Sequence, residues 1–254
     1  MTTVLTESKD GVGFITLNRP ERMNAITVEL GTALENALVK LGEDGSVNAI
    51  VIRGAGQNFC AGGDFAEVER LRSTGGPALR LLFVAFRRAC EAIATLEVPI
   101  IAAVEGVAMA GGFELMQAAD IVLVSDGARI ADNHINFGMI PGGGSTQRLP
   151  KLVGRQQAMA LLLSGDRISG ADAVRLGLAY RSFPVAEFED SVWQFASDLA
   201  ARPRAAVTTI KRLVNVSLDS TVALSLDREM AAVVAHINEL PQTNGVGPGG
   251  GDKR

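Results

Sequence analysis

The chain has 254 residues, 47% of them hydrophobic, and 24 basic against 28 acidic residues give it a formal charge of -4. That is enough apolar material for one substantial core plus a helical appendage, which excludes disorder for the bulk of the chain. The charges are dispersed and form no basic stripe of the kind that binding a phosphate backbone needs, so nucleic acid is not an expected partner. Cys60 and Cys90 are too few for a disulfide framework, and the segment Met1-Thr2-Thr3-Val4 carries neither a basic nor an apolar signal region. A cytoplasmic protein with reduced thiols is expected. Glu91, Glu97 and Glu105 interrupt the longest apolar candidate for a membrane span, which would need about 20 uninterrupted residues.

In chain order, Val4 to Ser8 and Val12 to Leu17 are β-rich runs around Lys9-Asp10-Gly11, and the Asp-Gly pair predicts a hairpin. Thr27 caps a predicted helix whose apolar positions Leu30, Leu34, Leu38 and Leu41 repeat at helical spacing. The run Ala49-Ile50-Val51-Ile52-Arg53 reads as a strand feeding a glycine turn that ends in Ala61-Gly62-Gly63-Asp64 and passes into a helical pattern. Leu79 to Thr95 reads as an amphipathic helix, and Pro99 leads into a buried strand through Val104. A second glycine turn follows, Val107-Ala108-Met109-Ala110-Gly111-Gly112-Phe113-Glu114. It ends an apolar strand, opens a helix and sets a carboxylate three residues past a glycine amide, which is the layout of an oxyanion site with an acid/base beside it.

Ile121 to Val124 and Ala179 to Phe183 are further predicted strands, and the alternation of strands with helices predicts an α/β body with right-handed crossovers. From Glu187 to about Asn238 the pattern is wholly helical, in three segments punctuated by Pro203 and Asp219-Ser220. The expected organisation is an α/β body over 1–186, a C-terminal helical region over 187–240 and a glycine-rich flexible tail over 241–254.

Other glycine motifs lead nowhere. Gly54-Ala55-Gly56-Gln57-Asn58-Phe59 lacks the last glycine of a dinucleotide fingerprint, Gly142-Gly143-Gly144-Ser145 lacks the P-loop lysine, and no serine sits in a Gly-x-Ser-x-Gly elbow. Cys60 adjoins the first turn but reads as a small buried thiol, and no residues have metal-ligand spacing.

Four segments in order give the chain a resemblance to the crotonase family, the enoyl-CoA hydratases and isomerases, over about residues 4 to 240. They are Leu17-Asn18-Arg19-Pro20-Glu21-Arg22-Met23-Asn24-Ala25, Phe59 to Asp64, Gly106 to Asp120, and Phe137 to Leu149. The resemblance implies a crotonase-like spiral of strand-strand-helix turns and a helical C-terminal region that forms trimers or hexamers. It implies an acyl-CoA thioester substrate, with coenzyme A arriving as part of that substrate and no other cofactor or metal. The amides of Gly63 and Gly111 match the family's two oxyanion donors, and Glu114 matches its first catalytic glutamate. Coenzyme A recognition falls on Arg22, Ala25, Ala61, Asp64 and Phe65.

The hydratases of the family place a second glutamate four residues before the glycine of their Gly-x-x-Pro-Gly segment, and the same count back from Gly138 lands on His134. Histidine transfers protons near neutral pH, so an acid/base group is kept while its charge and reach change; Asp132 and Asn133 stand beside it to orient the ring. The leading expectation is hydration of a 2-trans-enoyl-CoA by a Glu114/His134 pair. The alternatives are an enoyl-CoA isomerase with Glu114 as its single base, another CoA-thioester lyase or hydrolase, and a non-catalytic acyl-CoA-binding protein. His236 and the cations Lys211 and Arg212 are assigned to the structure and its surface.

Overall fold

The computed structural model describes residues 2–240. Its first strands, β1 (Val4–Lys9) and β2 (Val12–Leu17), pair antiparallel with Lys9 opposite Val12. Asp10 and Gly11 both take positive φ, 49° and 80°, the backbone that a two-residue Asp-Gly turn requires. Helix α1 (Val28–Glu43) begins where Thr27 accepts the Leu30 amide at 3.1 Å, and it buries Leu30, Leu34, Leu38 and Leu41 along one face. Strand β3 (Ala49–Gly54) follows, then α2 (Phe65–Thr74) and α3 (Gly76–Thr95). The third helix starts three residues before the predicted Leu79 because Pro77 sits in its first turn, where proline costs no hydrogen bond.

The chain continues through β4 (Ile100–Val104), β5 (Val107–Met109), α4 (Gly111–Ala118), β6 (Ile121–Ser125) and β7 (Arg129–Ala131). Next come α5 (Ser145–Ser164), β8 (Ile168–Ser169), α6 (Gly170–Arg175), β9 (Arg181–Phe183) and α7 (Phe188–Ala200). The last two helices are α8 (Arg204–Ser217) and α9 (Val222–Glu239). Six strands form one sheet in the order β1-β2-β3-β4-β6-β9, parallel throughout after the initial hairpin. A second sheet, β5-β7-β8, has strands of only two or three residues.

Both faces of the sheet's central strands are covered, which is why β3, β4 and β6 read as apolar runs while the edge strand β1 does not. Ile50 and Ile52 of β3 face the core shared with α1 and α3, while Ala49 and Val51 face the cluster that includes Phe188, Val192, Ala196 and Ala200 of α7. That face of α7 explains a difference from the expected organisation. The chain divides into compact units at 204/205 and not at 186/187, because α7 is anchored to the sheet by its apolar stripe.

The second unit carries α9 and all of α8 beyond Arg204, and it exposes Ile210, Val214, Leu226, Met230, Val233 and Ile237. Among the described residues no helix is long and apolar enough to cross a membrane. The predicted tail, 241–254, lies outside the described residues.

Candidate active site

The two glycine turns meet edge to edge. Cys60 donates to the Val107 carbonyl at 2.9 Å and its own carbonyl accepts from Met109 at 3.0 Å, so the end of the first turn runs as a short extra strand beside β5. Glycine is obligatory at 112, where a Cβ would lie 2.0 Å from the Cys60 carbonyl oxygen. Ala110, between β5 and α4, is held at φ 48° with its amide on the Ala131 carbonyl. A non-glycine residue in that region is strained, and strain of this kind gathers at functional turns.

The geometry leaves two amides to spare. Gly63 bridges Ile26 in parallel through its neighbours, the Gly62 carbonyl accepting from Ile26 at 2.7 Å and the Asp64 amide donating to Ile26 at 2.8 Å; parallel pairing therefore turns the Gly63 N–H away from that strand. Gly111 is the first residue of α4, whose opening amides have no partner within the helix. Both glycines line one cavity of about 300 Å³, together with Glu114 and His134. Its walls are apolar and aromatic: Ile26, Leu82, Phe83, Phe86, Phe137 and Met139.

Glu114 is 2% exposed, and its Oε1 accepts from the amides of Gly143 at 2.7 Å and Ser145 at 3.2 Å. The Ser145 hydroxyl takes a bond from Gln117 Nε2 at 2.9 Å, and Arg148 donates to the Gly143 carbonyl at 2.6 Å. The run Gly142-Gly143-Gly144-Ser145, which fails as a P-loop, thus serves as an anion clamp at the start of α5 for a carboxylate of the same chain. Burial raises the Glu114 pKa above the ordinary carboxylate value, against the opposing pull of the Ser145 amide, the His134 charge and the Gly143 amide, while the Asp132 charge adds to the rise.

A Cβ on Gly143 would stand 2.2 Å from Phe86 Cε1 and 2.9 Å from Glu114 Oε2. We expect Gly143→Ala to lower kcat about 10- to 100-fold by displacing the carboxylate, measured by steady-state kinetics beside a circular-dichroism check of folding.

His134 opens a short 3-10 turn after β7. Its Nδ1 lies 2.6 Å from Asp132 Oδ1 and its Nε2 lies 3.9 Å from Glu114 Oε2. The second distance is too long for a direct hydrogen bond and leaves room for a reacting molecule to touch both groups. Burial disfavours the imidazolium, yet the Asp132 hydrogen bond, the Asp132 charge and the Glu114 charge outweigh it, so the pKa of His134 is raised.

The residues assigned to coenzyme A recognition divide into two sets. Ala61 and the 69%-exposed Phe65 line the cavity beside Gly63. Arg22 is exposed outside that lining, Ala25 is buried, and the Asp64 carboxylate is committed to the α2 cap through Glu67 N and to Arg19 at 2.8 Å. No sequence motif singles out the side chains of Arg19 and the fully buried Asn24, which hold this turn together. Arg19 ties the Ala25 carbonyl to Asp64, while Asn24 donates to the carbonyls of Ala55 and Asn58 and accepts the Arg19 amide. Both lie in the segment Leu17 to Ala25 that carries part of the family resemblance.

Three larger hollows lack this convergence; the smallest, of about 430 Å³, is lined by Arg212, Leu213, Val216 and Arg228 within the second unit. In the one of about 660 Å³, Arg53 is neutralised by Glu7 and Glu189; the third, of about 570 Å³, is lined by Met116, Ile121, Leu152, Tyr180 and their neighbours. Cys60 and Cys90 are buried, and burial pushes both thiols up to about 12, which removes them as nucleophiles near neutral pH. Among the described residues, no group of three or more His, Cys, Asp and Glu is arranged to hold a metal ion.

A family model described as enoyl-CoA hydratase/isomerase matches residues 7–247 of this chain. The chain belongs to the enoyl-CoA hydratase/isomerase family. Among curated members of the family, it is 34% identical over 227 residues to a probable enoyl-CoA hydratase of Mycobacterium leprae, covering 89% of this chain and 86% of that one. It is 36% identical over 212 residues to the mitochondrial enoyl-CoA hydratase of Pongo abelii, covering 84% and 71%. The crystal structure of an enoyl-CoA hydratase from Polaromonas sp. JS666 superposes with a TM-score of 0.90 at 28% identity, over 93% of this chain and 92% of the other. That of an enoyl-CoA hydratase from Bacillus anthracis gives 0.88 at 29% identity, over 93% and 91%. The expected crotonase-like α/β fold is therefore the fold of this family member.

Proposed function

We propose that the chain is an enoyl-CoA hydratase that adds water across the 2,3 double bond of a 2-trans-enoyl-CoA to give the 3-hydroxyacyl-CoA. The observation that carries this reading is the pairing of Glu114 and His134 across a 3.9 Å gap beside two spare amides in one apolar cavity. An isomerase needs one group to move a proton between carbons; two acid/base groups facing each other suit the delivery of a water oxygen and a proton to adjacent carbons. The Gly63 and Gly111 amides receive the negative charge that develops on the thioester oxygen, where one such donor is worth about 3 kcal/mol. Ala61 and Phe65 border the acyl thioester, with Arg22, Ala25 and Asp64 shaping the approach of the coenzyme A portion. Proton transfer and charge stabilisation suffice, so no resident metal or redox cofactor is required, and we place the protein in the cytoplasm.

The test is reaction with a straight-chain 2-trans-enoyl-CoA in oxygen-18 water, read by mass spectrometry. Hydration appears as a product heavier by one labelled water; a shifted double bond without added mass identifies an isomerase, and released free thiol identifies thioester cleavage.

We also propose that α8 and α9 assemble the chain into a trimer, or into paired trimers. Support comes from their exposed apolar side chains, which exceed the scattered hydrophobics of an ordinary monomer surface. Light scattering coupled to size exclusion should return three or six times 26.6 kDa, and Val233→Glu should shift the population toward monomer. A wild-type monomer at micromolar concentration would contradict the proposal.

A further inference from the structure

We propose that Asp132 is a positioning residue that fixes His134 as the proton donor of the reaction, holding Nδ1 so that Nε2 presents its proton to the cavity. Asp132 ends the run that begins with β7, at 1% exposure, and its Oδ1 is 2.6 Å from His134 Nδ1. Its Oδ2 is buried with no hydrogen-bond partner. A buried carboxylate is expensive unless paired, and the only hydrogen bond the Asp132 side chain makes among the described residues is to this imidazole. The arrangement stabilises the imidazolium and fixes the ring's orientation, as a buried carboxylate does behind any catalytic histidine.

Charge around the ring comes from two directions. Asp132 acts from the end of β7 and Glu114 from α4, both favouring the protonated ring. Helix α5 contributes the Gly143 and Ser145 amides, which engage Glu114, and Arg148, which is directed to the Gly143 carbonyl. The two acid/base groups are thereby separated in role: Glu114, held by amides, as the proton acceptor and His134, held by Asp132, as the donor.

The resulting division of labour, which rests on the hydratase reading, balances as follows. Water between Glu114 Oε2 and His134 Nε2 gives a proton to Glu114 as its oxygen bonds to C3. The double-bond electrons move through C2 to the thioester oxygen, held by the Gly63 and Gly111 amides. The enolate then collapses and C2 takes the Nε2 proton. His134 is left neutral and Glu114 protonated, and transfer of that proton from Glu114 to Nε2 through the next water restores the starting charges.

The chain has two histidines, His134 and His236, so imidazole nitrogen NMR of the wild type, assigned with His236→Gln, reads His134 directly. We expect a ring that keeps its Nδ1 proton and titrates above the ordinary imidazole value. In Asp132→Asn the His134 titration should fall by about one pH unit or more, and the basic limb of kcat/KM should follow it down. For the same variant kcat should drop about 100-fold or more, with KM within threefold. A wild-type His134 titrating at or below the ordinary value overturns the proposal without recourse to any variant. So does an Asp132→Asn protein in which titration, basic limb and kcat all stay put. If the NMR shift is present but no enoyl-CoA is hydrated, the hydratase reading falls while the Asp132–His134 coupling stands.

Discussion

Glu114→Gln should lower kcat for enoyl-CoA hydration about 10³- to 10⁴-fold, with KM little changed, because the amide keeps the shape and cannot take a proton from water. The replacement carbonyl can still accept from Gly143 and Ser145, which hold the native carboxylate at 2.7 and 3.2 Å, so the loss reports chemistry and not collapse of the clamp. The pH profile adds a second signature. Glu114 works as the anion and its pKa is raised by burial, so wild-type activity is present above that raised value and is lost as the pH falls through it. The acidic limb therefore lies above the range of an exposed carboxylate. In Glu114→Gln that limb disappears. The basic limb of the residual activity moves to lower pH, because an anion facing His134 has gone. Rates measured across pH with a saturating enoyl-CoA check both points.

His134→Gln should lower kcat about 10²- to 10³-fold by removing the proton donor to C2. His134 works protonated, and its raised pKa means that wild-type activity is full below that value and lost as the pH rises through it, above the ordinary imidazole value of 6.5. The variant should lose this basic limb and keep the acidic one. Because the two groups act on one water and one enolate, their effects should not add: the double variant is expected within about tenfold of the worse single variant. Full additivity would indicate two groups that act independently. The single and double rates on one substrate, measured side by side, decide the matter.

What the sequence disclosed follows from the range of the forces involved. The Asp10-Gly11 turn, the Thr27 cap and the breaks at Pro203 and Asp219-Ser220 are local, and each appears where the residues place it. The small sheet does not announce itself, because strands of two and three residues are too short for an alternating pattern to emerge. The division at 204/205 depends on α7 docking against strands far away in sequence, which helical periodicity alone does not report.

The site shows the same split. Gly63, Gly111 and Glu114 stand out by their turns, and His134 by a count along a family segment. A glutamate in the first turn of a helix is ordinarily explained by its own helix dipole. Instead the Glu114 carboxylate is directed across the cavity onto amides at the start of α5, a contact spanning 29 residues in sequence. The clamp was hidden because a glycine run looks alike whether its amides receive a nucleotide phosphate or a carboxylate from the same chain. Asp132 stands out in the sequence only as a neighbour of His134; its burial is a tertiary fact, and its bond to Nδ1, though local, depends on the turn that follows β7.

The central claim, hydration by a facing Glu114/His134 pair, is tested most directly by following the conjugated-thioester absorbance of crotonyl-CoA and longer 2-trans-enoyl-CoAs. Wild-type protein should be run beside Glu114→Gln and His134→Gln. The account predicts rapid loss of absorbance with the wild type on at least one chain length and near-complete loss of that activity in both variants. A wild type that leaves every enoyl-CoA unchanged, or a Glu114→Gln variant that hydrates within threefold of it, would contradict the account.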